Sequence, residues 1–381
     1  MYGHFVQFTF PKIGQAVVAV VLYLNFLRLP FVACFADGAP LLYLGLPLVL
    51  LGLVSWIGRD PLGPGMIFNA HLMGFYLVGD LLSLLARLAG GRGYAVWQAV
   101  WMGGLLAWLA TAAMMVWGYF RAIRLRTTTY HLTTQKPLPG GRLRVVQISD
   151  LHPGTGAIDR SRIPELERRI GELHPDLLVF TGDLYDEYVT RENFDAFNAL
   201  FARLQARGGK WFVYGNHDLF HHWKEPSYGR TDVETAFSAA GIRVLEDVAV
   251  ETTIDAAPVR IVGHKDWLYT QGRRFSPGEL LPGGPDGVYT ILLDHEPREL
   301  KADAAAAAGA DLILSGHTHG GQVWPAGLVA RLFRYNELNY GAKTVAPGCT
   351  AIVSGGTGTW GYKIRTEGRT ELVVVDVEQK G

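Results

Sequence analysis

The stretch Ser315-Gly316-His317-Thr318-His319-Gly320-Gly321-Gln322 follows a short apolar run, Leu312–Leu314, that reads as the end of a buried strand. Two histidines one residue apart, set between glycines, make a tight corner in which the backbone can turn sharply. Their neutral imidazoles offer nitrogen lone pairs suited to Zn, Fe, Mn or Ni. Taken alone, such a pair is equally a packed or solvated turn, so its meaning depends on what the rest of the chain brings to it.

Upstream, from Leu143 onward, short apolar runs alternate with helical stretches, the pattern of an α/β domain. Leu143–Ile148 ends at Asp150-Leu151-His152, and Leu177–Thr181 ends at Gly182-Asp183-Leu184-Tyr185-Asp186. Lys210–Tyr214 ends at Gly215-Asn216-His217-Asp218, and Tyr289–Leu293 at Asp294-His295. Ile163–Leu173, with Ile163, Leu166, Ile170 and Leu173 on one face, reads as a crossover helix, as does Phe194–Leu204. Five strands in a row therefore end in Asp, Asn or His, and open α/β sheets bind ligands in the crevice beyond the carboxyl ends of their strands.

In this order, Asp-Leu-His, Gly-Asp-Leu-Tyr-Asp, Gly-Asn-His-Asp, His295 and Gly-His-Thr-His resemble the motifs of the calcineurin-like metallophosphoesterases, from about Leu143 to Asp376. Ser315–Gln322 together with Gly355–Gly361 resembles the membrane-anchored bacterial branch of that superfamily. The resemblance implies a four-layer α-β-β-α sandwich, two mixed sheets packed face to face and flanked by helices. It implies one metal at Asp150, His152, Asp183 and His319, and a second at Asp183, Asn216, His295 and His317, with Asp183 bridging. Carboxylates, imidazoles and an asparagine oxygen suit two divalent ions such as Mn, Fe, Zn, Co or Ni. A metal pair of this kind activates water and clamps phosphoryl oxygens. His217 matches the position that faces the leaving group as general acid, and Asp186 matches the partner that orients it. The protein serine/threonine phosphatases carry Arg and Glu where this chain has Glu187 and Asp218, which turns the expectation away from a phosphoprotein substrate.

The other conspicuous side chains carry less. His221 and His222 read as a solvated loop or as substrate contacts, and His264 matches no ligand position. Tyr335, Tyr340 and Trp360 with Arg331 and Arg334 read either as an aromatic and basic rim near a membrane or as a self-packed loop.

Charge divides the 381 residues sharply. Its formal net value is zero, which argues against nucleic-acid binding through a basic surface, but residues 1–120 hold only eight of the 70 charged side chains. Four apolar stretches there, near Ile13–Ala36, Pro40–Gly58, Met66–Leu88 and Gly93–Phe120, match the roughly 20 residues a bilayer core requires. Trp56, Trp97, Trp101 and Trp117 sit toward their ends, as indoles do at headgroups. Arg28 and Asp80 fall inside two of the stretches, and Asp80, near a helix end, is expected to reach the interface or pair with a neighbour rather than relay ions with His71. Lys12, Arg59, Arg121, Arg124 and Arg126 against Arg28, Arg87 and Arg92 predict a cytoplasmic C-terminal part. The lone pair of cysteines, Cys34 and Cys349, falls in different parts and forms no disulfide framework.

These readings predict a transmembrane domain of four helices over 1–126, a linker over 127–142, and a metallophosphoesterase domain over 143–381. The expected activity is hydrolysis of a phosphoester, phosphodiester or pyrophosphate bond in a small-molecule or lipid-linked substrate at an inner membrane. Nucleotide or cyclic-nucleotide phosphodiesterase activity is the alternative within the class. A non-catalytic membrane scaffold would show lost ligands, yet every matched position is filled by a competent residue. A transporter with a regulatory domain would need several charged spans. No oligomeric state is read from the sequence.

Overall fold

A computed structural model describes residues 19–57, 64–101, 105–154, 156–219, 227–267, 274–281, 286–297 and 302–380. They form two compact units that divide between Gly118 and Tyr119.

Ile67–Leu88 in the first unit and Leu105–Ile123, which ends in the second, are 22 and 19 residues and are long and apolar enough to cross a membrane. At about 1.5 Å of rise per residue both reach roughly 30 Å. The other expected spans differ in detail. Pro40–Leu53 is a shorter apolar stretch within the helix Pro40–Ile57, and residues 13–18 of the first span lie outside the described residues. The fourth expected span is shared between the helices Gly91–Trp101 and Leu105–Ile123, with 102–104 outside the described residues. Arg28 and Asp80 find each other in a two-pronged ion pair, Nη1–Oδ1 2.7 Å and Nη2–Oδ2 3.0 Å. Mutual neutralisation is how two charges are tolerated among apolar helices. Asp80 thus takes a partner from the turn that carries Arg28, while the His71 ring lies 2.8 Å from the Ile67 carbonyl one turn earlier.

The second unit contains twelve described strands: β1 (Arg126–Thr134), β2 (Arg142–Ile148), β3 (Leu177–Thr181), β4 (Lys210–Val213), β5 (Ile242–Val244), β6 (Val248–Ile254), β7 (Ala257–Gly263), β8 (Tyr289–Leu293), β9 (Leu312–Ser315), β10 (Gly341–Ala346), β11 (Cys349–Val353) and β12 (Glu371–Gln379). They form two six-stranded sheets, ordered β1-β12-β2-β3-β4-β5 and β10-β11-β9-β8-β7-β6. Strands β2 to β5 run parallel in the first sheet, and β7, β8, β9 and β11 run parallel in the second.

Strand alternation assigns each side chain to a layer. Val145, Val179, Val213, Ile291 and Leu314 point between the sheets into one shared core. The alternate residues Val146, Phe180 and Phe212 face the helices Ile163–Leu173, Arg191–Arg203 and Arg230–Ala239. On the far side, Leu292 and Ile313 face the helices Pro277–Leu280 and Ala302–Ala307. The central strands are predominantly apolar because both of their faces are covered.

The first half of the expected linker at 127–142 is instead strand β1, which pairs in parallel with β12 over nine residues. Its Thr-rich run favours an extended backbone, and its alternation of half-buried and exposed residues suits the sheet edge.

Candidate metal centre

Loops leaving β2, β3, β4, β8 and β9 converge at one edge of the paired sheets. Asp150, His152 and His319 gather there, as do Asp183, His295 and His317, each trio with ligand atoms within 4.8 Å of one another. Asp183 joins them: its Oδ2 lies 3.6 Å from His152 Nε2 and 3.2 Å from His295 Nε2. The Asn216 Oδ1 sits 3.1 Å from His295 Nε2 and 2.9 Å from His317 Nδ1. All seven expected ligand residues are thus brought together.

Backbone strain marks the same positions. Asp150, His152, Asp183, His317 and His319 all take left-handed φ values, between 43° and 69°. Non-glycine residues adopt this region at a cost of order 1–3 kcal/mol each and hold it where the surrounding structure over-determines them. Here the loops must turn abruptly off the strand ends to aim side chains inward. Glycine makes room at Gly215, where a Cβ would strike the Asp183 carboxylate and crowd the His295 ring. Gly316 likewise leaves no space for a Cβ against Ser149 and Asp150.

The carboxylates are held by backbone and by neighbours. Asp183 Oδ1 accepts from the His217 amide at 2.8 Å, and Asp150 Oδ1 from the His317 amide at 2.9 Å. Burial alone would raise the Asp183 carboxyl, but the His295, His217 and His152 imidazoles outweigh it and hold the group well below the usual carboxylate range. The converse applies at His152. Its burial favours the neutral ring, yet Asp186 and Asp183 dominate and raise it to about 9. His319 is driven the other way, well below the ordinary histidine range, by burial and by the charges of His152 and Arg365.

This donor set fits divalent cations. His152 Nε2 and His319 Nδ1 are buried without a hydrogen-bond partner, and carboxylates that favour extra positive charge on His152 and His295 favour a metal on the same terms. The donors are oxygen and nitrogen, with no thiolate among them.

The two acids expected to act together part company. Asp186 Oδ2 lies 3.0 Å from His152 Nδ1, so Asp186 orients a ligand rather than His217. The carboxylate beside His217 is Glu187, 3.4 Å from Nδ1. His217, Asn216 and His317 are half-buried, whereas Asp150, His152, Asp183, His295 and His319 are buried, so the centre opens along the His217 side. Trp360 stands there, its ring 5.4 Å from that of His217.

Several supporting residues escaped the sequence reading. Asp218 accepts from the amides of Asp183, Tyr185 and Gly215, and burial beside Asp183 pushes its carboxyl up to about 7. Arg365, fully buried, donates to the carbonyls of His319 and Gly358 and so clamps the loop after β9. Asp218 was signalled by its place after Gly-Asn-His; no motif announced Arg365. His264 stays outside the centre, bonded to Asp294 at 2.9 Å beneath the loop that carries His295. His221 and His222 lie outside the described residues.

Comparison with known proteins agrees with this arrangement. The family profile described as calcineurin-like phosphoesterase matches residues 143–321. An uncharacterized metallophosphoesterase of Aquifex aeolicus is 32% identical over 265 residues, covering 68% of this chain and 93% of the relative. A transmembrane protein with metallophosphoesterase domain from Danio rerio is 29% identical over 343 residues, covering 86% of this chain and 74% of the relative. A protein of the same description from Bos taurus is 28% identical over 282 residues, covering 70% of this chain and 60% of the relative.

Proposed function

Because the chain belongs to the calcineurin-like phosphoesterase family, and is therefore a metal-dependent phosphoesterase, we propose that its two joined clusters hold two divalent ions and hydrolyse a phosphodiester or pyrophosphate bond. The observation that carries this reading is the single Asp183 carboxylate oxygen that faces imidazoles of both clusters. Asp150, His152 and His319 would hold one ion, Asn216, His295 and His317 the other, and Asp183 both. Ions bound there supply charge neutralisation to the phosphoryl oxygens and lower the pKa of water.

The chain's own groups do the rest. His217, half-buried at the open side and held by Glu187, presents a ring N–H toward the departing oxygen and donates its proton as the bond to phosphorus breaks. Asp186 fixes the His152 ring so that one nitrogen remains turned toward Asp183. Trp360 shields one side of His217 from water.

Anchoring in a membrane is part of the proposal. Two helices meet the length and apolarity of a span, and relatives are described as transmembrane proteins. We extend this to four spans, a cytoplasmic catalytic domain and a lipid-borne substrate. The arginine asymmetry beside the spans favours that orientation. Tethering raises the effective concentration of a lipid substrate and does nothing comparable for a soluble one.

The test uses the full chain in lipid nanodiscs, stripped by chelator and reloaded with Mn, Fe, Zn, Co or Ni in turn. Each form is assayed on lipid-linked and soluble phosphodiesters and pyrophosphates. Metal-restored turnover with preference for the lipid-linked compounds is expected. Turnover indifferent to metal would refute the catalytic reading, and preference for free nucleotides would favour the nucleotide phosphodiesterase alternative.

A further inference from the structure

The second unit concentrates its exposed apolar surface in one place. Of the eleven large apolar or aromatic side chains exposed among its described residues, six lie within twelve positions: Trp324, Leu328, Val329, Leu332, Phe333 and Tyr335. Leu332 and Phe333 are 74% and 67% exposed, an arrangement that water disfavours. The helix Ala326–Leu332 presents Leu328 and Leu332 one turn apart, while Gly327, buried, donates to Glu367 at 2.9 Å.

Beside this helix is a cavity of about 750 Å³ rich in arginine: Arg121, Arg331, Arg334 and Arg369 line it with Tyr335 and Tyr340. Two carboxylates also face it, and both have partners. Glu367 accepts from Gly327 and lies 3.4 Å from Arg331, and Glu337 accepts from the Ala302 amide at 3.3 Å. The balance of charge therefore favours an anion.

Arg121 belongs to the last turn of the helix Leu105–Ile123, one of the two that can cross a membrane. This end of the helix is fixed within the second unit. Thr370 Oγ1 donates to the Ala122 carbonyl at 2.9 Å, Arg162 Nη1 to the Ile123 carbonyl at 2.7 Å, and Arg121 to Gly368. Tyr119 and Phe120, both exposed, precede it, as aromatic residues do where a span meets the headgroups. The cavity thus lies at the end of a span.

We infer that Trp324–Tyr335 is a membrane-docking segment: Leu328, Leu332 and Phe333 enter the boundary of the acyl chains, and Arg334 and Arg369 bind anionic phospholipid headgroups. An amphipathic helix with apolar and basic faces lies in the plane of an interface by this division of labour. The inference rests on the membrane-anchored reading above and adds to it a second, reversible contact. His319 is only five residues from Trp324, so docking would bring the loop after β9 to the lipid surface.

The test uses the full-length chain with Cys34→Ser, leaving Cys349 buried, in nanodiscs of phosphatidylcholine with or without phosphatidylglycerol. A polarity-sensitive fluorophore is placed at Leu332→Cys, at Ala113→Cys in the span, or at exposed Arg168→Cys, and nitroxide-bearing lipids serve as quencher. Strong quenching at positions 113 and 332, little at 168, and loss of most of the signal at 332 in Arg334→Glu/Arg369→Glu are expected with phosphatidylglycerol. Quenching at 113 while 332 behaves like 168 would overturn docking and leave the anchor standing. Quenching at neither position would overturn both. Equal quenching at 332 with and without phosphatidylglycerol, and after charge reversal, would overturn the anionic headgroup site.

Discussion

The two ligand clusters share chemistry but not surroundings. Asp150, His152 and His319 are buried, the His152 ring is held by Asp186, and the His319 backbone is held by Arg365. Asp183 and His295 are equally buried, yet their cluster reaches the half-exposed His317 and Asn216 and so meets solvent beside His217. The first cluster is the more enclosed of the two, with Asp150 and His152 fully buried, while the second carries two half-buried ligand residues at the rim. His217 itself borders the first cluster, its ring 5.5 Å from that of His152, so the rim lies against both.

The largest effect that would sharpen this division is at the rim. His217→Ala should keep its metals while losing about 10²–10⁴-fold in rate on substrates with poor leaving groups, and much less on good ones. Equal losses on both would remove His217 from proton donation. At the first cluster, Asp186→Asn should weaken metal binding by about 10–100-fold, the usual consequence of loosening a ligating histidine. Glu187→Gln should leave metal affinity unchanged, since Glu187 stands beside His217 rather than a ligand. Calorimetric titration of both variants would separate the two acids, and equal effects would erase the distinction.

A graded effect comes from pH. The His152 imidazole of the metal-free centre is raised to about 9, so below that value a proton must leave before a metal can bind. Affinity should therefore fall by about tenfold per unit as pH drops from 9 toward 6, with proton release on binding. An affinity flat over this range would contradict the raised pKa.

Much of the catalytic half was legible in the sequence because its central strands are buried on both faces. Leu177–Phe180 and Ile291–Leu293 read as unbroken apolar runs, and ligand residues follow shortly after each strand. Strand β1 was not legible, since its threonines look like a linker until β12, some 240 residues later, supplies the partner. The choice between Asp186 and Glu187 was equally hidden. Neighbours in sequence, they are sent to different histidines by a loop that leaves β3 through a left-handed Asp183. The N-terminal unit announced its apolarity plainly, but the end of each helix and the pairing of Arg28 with Asp80 depend on contacts distant in sequence.

The claim that Asp183 joins two clusters into one centre is tested most directly by manganese electron paramagnetic resonance, titrating the metal-free full chain and its Asp183→Asn variant. Two equivalents per chain with a spin-coupled spectrum are predicted for the native protein, falling to one equivalent or fewer, uncoupled, in the variant. Two coupled ions surviving the substitution, or a single ion in the native chain, would contradict it.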